Sequence, residues 1–441
     1  MWKLKVAEGQ GPWLYSTNNF VGRQIWEFDP DAGTLEEREA VERARDDYQK
    51  NRSRVRPSGD VLMRMQLKKE NSDIDLSIPP VRLGEKEQVN YEAVTTALKK
   101  AVRLNCAIQS KDGHWPAENT GPHIYTPPML ISLYISGAIS TVLTAEHKKE
   151  MIRYLYNHQV LGVYEWSGCN PLPPEFWLVP SFLPYHPAKM WCYARTTYMP
   201  MSYLYGRKYV GPITKLVKSL RQEIHQQPYE EIDWNKARHS CCKGLQMMCW
   251  WAEDPNGDEF KYHLARVPDF LWLAEDGMKI QSFGSQLWDC TFLTKAIMAS
   301  NLVDEYGDTL KKAHFYIKES QVKENPARDF KKMHRHITKG AWTFSDQDQG
   351  WAVSDCTSEA LKCLLLLSQM PLDVAGEKVD DEQLYEAVDV LLYLHSPKSG
   401  GFAIWEPAVP QPYLEVLNPS ELFADITVER EYALVLVLSL Y

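Results

Sequence analysis

Short turns built on glycine and tryptophan recur along this chain, and they constrain its fold more than any other feature. Gln109-Ser110-Lys111-Asp112-Gly113-His114-Trp115 places a Gln, a Gly and a Trp in one turn. Lys339-Gly340-Ala341-Trp342 and Gln347-Asp348-Gln349-Gly350-Trp351 are variants of it. Ser285-Gln286-Leu287-Trp288 and the stretch from His395 through Gly400 and Gly401 to Trp405 are looser versions. The spacing from Trp288 to Trp342 equals that from Trp351 to Trp405, and Asp289-Cys290-Thr291 is echoed by Asp355-Cys356-Thr357. Self-similarity of this kind marks one supersecondary unit repeated along the chain. Glycine permits the tight turn, tryptophan packs over it, and glutamine bonds free groups at a neighbouring helix end.

Between these turns lie segments of helical length. Tyr91–Ile108, Thr141–Asn157, Asp289–Asn301, Ser358–Gln369 and Glu382–Leu394 carry apolar residues three and four apart, the spacing of a buried helix face. Alternation of the strand type is scarce, so the chain reads as all-α. Helical hairpins repeated around a closed ring would enclose a central cavity. Residues 1–80 read differently: aromatic at first, then a charged helical stretch over Leu35–Asn51, then a polar segment, together a surface-wrapping arm.

Composition excludes several classes. With 24% charged and 44% apolar residues the chain is neither disordered nor a polytopic membrane protein. Residues 127–145 are interrupted by Ser, Gly and Thr, and the run Tyr432–Tyr441 is far below the roughly 20 residues that span a bilayer. A net charge of −9 argues against nucleic acid as a partner. Cys241, Cys242 and Cys249 lie near His239 and His263, but the cysteines lack the paired two-residue spacing of a zinc site, so no metal is expected. What stands out is the aromatic content, 15 Trp, 23 Tyr and 13 Phe, far more than filler requires. Taken alone, Asp355 reads as the N-cap of the apolar helix that follows it, and Trp288 and Phe344 as core aromatics.

The Gln–Gly–Trp turns, followed by Val353-Ser354-Asp355-Cys356-Thr357-Ser358-Glu359, resemble the oxidosqualene cyclases, the triterpene and sterol synthases of the terpene cyclase/mutase family. The plant branch is resembled by Leu161-Gly162-Val163-Tyr164-Glu165-Trp166, Met190-Trp191-Cys192-Tyr193, Glu275-Asp276-Gly277-Met278 and Gln321-Val322-Lys323-Glu324-Asn325-Pro326. The resemblance implies an all-α fold of α/α barrels, or toroids, joined by Gln–Gly–Trp repeat turns, with two barrels that are both incomplete here. On that pattern 1–85 is the wrapping arm, 86–265 a partial barrel with an internal deletion, and 266–441 the first half of the catalytic barrel. It further implies cyclisation of (3S)-2,3-oxidosqualene, an isomerase reaction that needs no metal and no organic cofactor. The family's proton donor falls on Asp355, the hydrogen-bond partner that activates it on Cys356, and substrate-lining aromatics on Trp191, Tyr193, Trp288 and Phe344. Ser358 stands where the family usually has Ala.

These roles are chemically coherent. Opening an epoxide needs a carboxyl that is still protonated near neutrality, although a free Asp titrates near 4. Burial supplies the shift. The later intermediates are cations, and aromatic faces stabilise them by roughly 0.5–2 kcal/mol each without lone pairs that would trap them. Trp191-Cys192-Tyr193 and Gly401-Phe402-Ala403-Ile404-Trp405-Glu406-Pro407 resemble the pentacyclic, amyrin-type enzymes; cycloartenol-forming relatives usually carry His at the Tyr193 position.

Three departures from the family pattern are visible. Gln159 runs directly into Val160, and Gly244 into Leu245, where the family has intervening segments, and the chain stops soon after Glu431-Tyr432, before the family's second cysteine. Ala194 stands where Cys is common. The departures predict exposed apolar helix faces and a cavity open to water, hence a poor cyclase. The competing expectation is a non-catalytic pseudoenzyme or fragment that binds a hydrophobic ligand or a full-length cyclase. An α/α-barrel glycosidase would need a second acid facing Asp355, and a prenyltransferase would need zinc. The family attaches by one face to the endoplasmic reticulum or lipid droplets, and a homodimer is compatible with it.

Overall fold

The computed structural model describes residues 1–52, 54, 61–84, 87–119, 125–157, 173–207, 246–418 and 427–432, with the single residues 213, 215, 218, 219 and 222. The Leu161–Trp166 motif, Cys241, Cys242, His239, both abrupt junctions and the last nine residues lie outside the described residues.

Helices dominate, as the three- and four-residue apolar spacing predicts. Observed helices over Tyr91–Ala107, Gln286–Ala299, Ser354–Leu367 and Asp381–Leu394 match four of the five expected segments to within a turn. The fifth is split. Its Thr141–Asn157 stretch divides into Ile139–Val142 and Ala145–Asn157, because Leu143 adopts an extended conformation and ends the first helix. Thr144 then restarts the chain by accepting a hydrogen bond from the His147 backbone at 3.3 Å. No helix among the described residues is long and apolar enough to cross a membrane.

Strand is confined to three two-stranded antiparallel ribbons: β1 (Trp2–Val6) with β2 (Gln24–Phe28), β3 (Leu271–Ala274) with β4 (Gly277–Ile280), and β5 (Phe402–Ala403) with β6 (Glu431–Tyr432). The first ribbon buries Trp2, Leu4, Val6 and Trp26 in the same apolar core as Leu310, Ile317, Trp342 and Leu364. Trp26 meets the fully buried Trp272 of β3 edge-on at 5.8 Å.

Two of the Gln–Gly–Trp turns share one hydrogen-bond scheme. In the first, Gln109 Nε2 donates to Gly113 O at 2.9 Å and to Thr309 O at 3.0 Å, while Trp115 Nε1 donates to Asn105 O at 2.7 Å. In the second, Gln321 Nε2 donates to Gly340 O at 2.9 Å and to Gln383 O at 2.8 Å, and Trp342 Nε1 to Ile317 O at 2.8 Å. The indole therefore takes a carbonyl in the last turn of the preceding helix, where the i+4 donors run out; Asn105 O also accepts the Ile108 N–H at 3.2 Å. The glutamine ties the turn to the first turn of a helix further along the chain, Gly307–Glu319 for Gln109 and Asp381–Leu394 for Gln321. This refines the expectation: tryptophan, not glutamine, satisfies the helix end, and glutamine bridges units. The second turn's glutamine is Gln321, well upstream of Gly340.

The glycines have no substitute. Gly113 and Gly340 have φ of 99° and 90°. A Cβ at Gly113 would lie 2.0 Å from Lys312 O, and one at Gly340 2.6 Å from the Glu386 backbone, each in the helix that the glutamine grips. Positive φ and backbone contact exclude any side chain at both positions.

The other turns do not follow the scheme. Gly350 is left-handed, with φ of 71°, but Gln347 bonds to Thr17 and Gln349 to Tyr193, and Trp351 and Trp405 leave the turns for the site described below. Reading Trp351 and Trp405 as turn tryptophans is thus corrected.

Replacing Gln321 with Leu leaves the Gly340 and Gln383 carbonyls without this donor at about 1–3 kcal/mol each. Urea denaturation should show a loss of about 2 kcal/mol or more, and Gln109→Leu a similar loss. A loss under 0.5 kcal/mol for both would refute the clamp.

Candidate active site

Asp355 is the second residue of the helix Ser354–Leu367, not its cap. The cap is Val353, which offers no side-chain acceptor. Instead the Ser354 N–H donates to Ile404 O at 3.0 Å, so a neighbouring chain satisfies the helix start. Freed from capping, the Asp355 carboxylate turns back and accepts the Cys356 N–H at 2.7 Å. The N-cap reading of Asp355 is therefore overturned. Its echo Asp289 is likewise inside a helix, where it accepts the Ser285 hydroxyl at 2.6 Å.

Burial is the main influence on Asp355 and raises its pKa above the usual carboxylate value. The Cys356 N–H and thiol, both bonded to the carboxyl, pull it down in part, and Glu359 pushes it up again. The Cys356 thiol is itself fully buried and held well above its ordinary value, first by desolvation and then by Asp355. One turn on, Glu359 is buried in an ion pair with Lys295. Asp355 is therefore a carboxyl that retains its proton to higher pH than a free one, with a thiol donor against it.

The four aromatics expected from the sequence come together. Trp191 meets Tyr193 edge-on at 5.0 Å, and Trp288 stacks on Phe344 at 5.6 Å with an interplanar angle of 20°. Phe283 joins the two pairs, 6.1 Å from Tyr193 and 5.4 Å from Phe344. Trp405 packs on Tyr193 at 5.0 Å, and Trp351 lies 6.4 Å from Tyr193 with the Arg335 guanidinium over its ring, 3.6 Å from the ring centroid. Every ring in this set is half-buried, whereas the turn tryptophans Trp115 and Trp342 are buried. Trp288, Phe344 and Trp405 pack against the main buried core, of which Trp115 and Trp342 are part.

Backbone bonds register the acid with the rings. Val353 N–H donates to Trp342 O at 3.1 Å, and Phe344 and Asp355 each lie two residues beyond that bond. Trp288 N–H donates to Phe344 O at 3.3 Å, and Ile404, whose carbonyl receives Ser354, precedes Trp405. Tyr193 accepts a bond from Gln349 at 3.3 Å, and its phenol is held above its ordinary pKa by burial, with contributions from Cys192 and Cys356. Phe283, Trp351 and Trp405 were not assigned to the site from sequence. For Trp351 and Trp405 the signal was present but absorbed by the turn pattern; Phe283 carried none.

Around the site, Ala194 is buried against Met190, Tyr198 and Met201. Arg195 donates to His334 O at 2.7 Å and pairs with Glu406 at 3.0 Å, and Glu406 also takes Arg335 at 3.3 Å. Cys249, one of the cysteines weighed as a zinc ligand, donates its thiol to Pro200 O at 3.5 Å.

Residues 158–256 match the squalene-hopene cyclase N-terminal domain. The chain is 34% identical to alpha-onocerin synthase LCD of Lycopodium clavatum, over 96% of its own length and 72% of that protein. It is 31% identical to cycloartenol synthase of Dictyostelium discoideum, covering 83% of this chain and 69% of the relative, and 31% identical to lanosterol synthase of Mus musculus, covering 75% and 61%. The clubmoss alignment runs over 555 residues, more than the chain's 441, so that relative carries segments with no counterpart here.

Because burial raises Asp355, the folded chain binds that proton more tightly than the unfolded chain does. The resulting stability is complete below the unfolded value near 3.8 and is lost as pH rises through the folded value. Asp355→Asn has no such proton to lose. Its melting temperature should therefore gain on wild type as pH is raised from 4 to 8, measured by differential scanning fluorimetry; a difference that stays constant with pH contradicts the assignment.

Proposed function

The chain belongs to the oxidosqualene cyclase family, a family of isomerases, and we propose that its Asp355 site cyclises (3S)-2,3-oxidosqualene to a triterpene. The observation that carries this reading is a half-buried carboxyl whose desolvation holds its proton to higher pH, with a thiol partner, in register with half-buried aromatic rings. Asp355 gives its proton to the epoxide oxygen, the carbon–oxygen bond breaks, and the positive charge passes to carbon. The neighbouring double bonds then attack in turn. Each ring closure moves the cation along, until loss of a proton from carbon ends the cascade.

The Cys356 thiol and N–H favour the carboxylate that remains on Asp355, which is what makes a buried acid willing to release its proton. Trp191, Tyr193, Phe283, Trp288, Phe344 and Trp405 offer π electrons to the migrating charge. Tyr193 supports a pentacyclic, amyrin-like product over a sterol-type one.

The substrate is a lipid, and the reading includes peripheral contact with the membrane that holds it, at the endoplasmic reticulum or on lipid droplets. Two exposed apolar segments support such contact. Leu178 is 83% and Phe182 80% exposed, Val416 is 86% exposed, and the two segments are joined by the Tyr413 hydroxyl, which donates to Pro184 O at 2.6 Å.

A second reading, a non-catalytic chain that docks on a full-length cyclase, is favoured by a different surface. Leu365 and Leu366 on one helix, and Tyr385 and Leu392 on its neighbour, stand exposed.

Purified protein in detergent, given labelled oxidosqualene, is expected to yield cyclised triterpene detectable by gas chromatography and mass spectrometry, at the low rate that the departures from the family pattern predict. Asp355→Asn should reduce the rate by at least about 100-fold, the scale of a general acid. No product from wild type, together with capture of a full-length cyclase, would favour the second reading. Leu178→Asp with Phe182→Asp should lower co-sedimentation with phosphatidylcholine vesicles while leaving the detergent rate unchanged; equal co-sedimentation rejects the membrane contact.

A further inference from the structure

The site holds a second carboxyl, more deeply buried than Asp355, that the sequence does not announce. Val428-Glu429-Arg430-Glu431 has the look of a solvated charged run, yet Glu429 is only 3% exposed. Glu429 Oε2 accepts the Trp405 N–H at 3.2 Å, and Oε1 accepts the Arg430 N–H at 3.0 Å. The residues before it are also engaged. Thr427 O accepts the Trp191 N–H at 2.8 Å, and Val428 is buried against the core that contains Met190, Ala194 and Tyr198. One short segment thus grips the backbones of two lining tryptophans, Trp191 and Trp405. The residue before Trp405 is Ile404, whose carbonyl receives the first N–H of the Asp355 helix.

Resting on the reading of Asp355 as the acid, we propose that Glu429 is the positioning residue of this site, tying the Trp405 wall to the Asp355 helix and governing through its charge when Asp355 releases its proton. The Ile404–Trp405 peptide bonds the head of the Asp355 helix through its carbonyl and Glu429 through its N–H, and like charges held on either side of it oppose each other's formation. When Glu429 is ionised, Asp355 holds its proton; when Glu429 is neutral, Asp355 can become the carboxylate that proton transfer leaves behind. Burial, with a further contribution from Asp355, pushes Glu429 up to about 7, so both states are accessible near neutrality.

The other charged or titratable groups facing this pair are accounted for. Cys356 and Glu359 share the helix with Asp355. Cys192 feels Arg195, Glu406 and Glu429, but burial pushes its thiol up to about 12, and it stays neutral through the range that matters. Arg195 and Glu406 are paired with each other. Arg430 and Glu431 follow on the same segment, and Glu431 accepts the Ser399 hydroxyl.

The test requires no turnover. The full chain, labelled at the aspartate side-chain carbon with carbon-13, is titrated by NMR, and the Asp355 signal is assigned by its loss in Asp355→Asn. In Glu429→Gln the Asp355 midpoint should move to lower pH, and in Glu429→Asp, which keeps the charge, it should stay near wild type. A midpoint unchanged in Glu429→Gln, with circular dichroism matching wild type, overturns the proposal. If Glu429→Gln does not fold, the wild-type curve decides: two coupled steps at Asp355 support the pair, and a single step rejects it. A shift in a chain that yields no product would leave the Glu429 assignment standing while the cyclase reading failed.

Discussion

A side-chain amide that donates to two backbone carbonyls is the interaction on which the rest of this structure depends. Gln109 and Gln321 each bind the carbonyl of their own turn's glycine and a carbonyl in the first turn of a helix further along the chain. The tryptophan closes the preceding helix at the same point. Three elements are then held at one place by bonds shielded from water, where each is worth more than at a surface. A glycine at the centre is forced, since the backbone of the helix gripped by the glutamine occupies the space that a side chain would need.

Rigid turns allow the site to be assembled from distant pieces. Val353 pairs with Trp342, the tryptophan of the second clamp, so the helix that begins at Ser354 is aimed by that clamp. Asp355 and Cys356 follow at once. The helix lacks a side-chain cap because Ile404 fills that role, and this leaves the Asp355 carboxyl out of the cap and bonded to the Cys356 N–H. A surface helix would keep its aspartate as a cap. Here the tertiary contact relieves it of that duty, and burial then changes its acidity.

Much of the fold was legible from residue types. Apolar spacing located four long helices because a buried helix face must repeat near 3.6 residues, whatever it packs against. The Ile139–Asn157 region was misjudged because both halves carry the pattern and only the extended Leu143 separates them. The ribbons escaped notice because strands of two to five residues give too few alternations to read, and β3 and β4 are buried on both faces. In the site, Asp355, Cys356, Trp191, Tyr193, Trp288 and Phe344 were legible from motif resemblance, and the structure brings them into one region. Their chemical roles remain the proposal made above.

What the sequence determined alone is local: helical periodicity, glycines where the turns require them, and an acidic residue followed by cysteine at the head of an apolar helix. The tertiary structure decided which tryptophans serve the turns and which line the site, since Trp342 and Trp351 look alike in sequence. Trp342 finds a helix carbonyl and is buried; Trp351 finds Tyr193 and Arg335 and stays half-open. It also decided that Gln321 and Glu429 matter. Their partners Gly340, Gln383 and Trp405 lie 19, 62 and 24 residues away, and a hydrogen bond between distant residues leaves no period in the sequence to read.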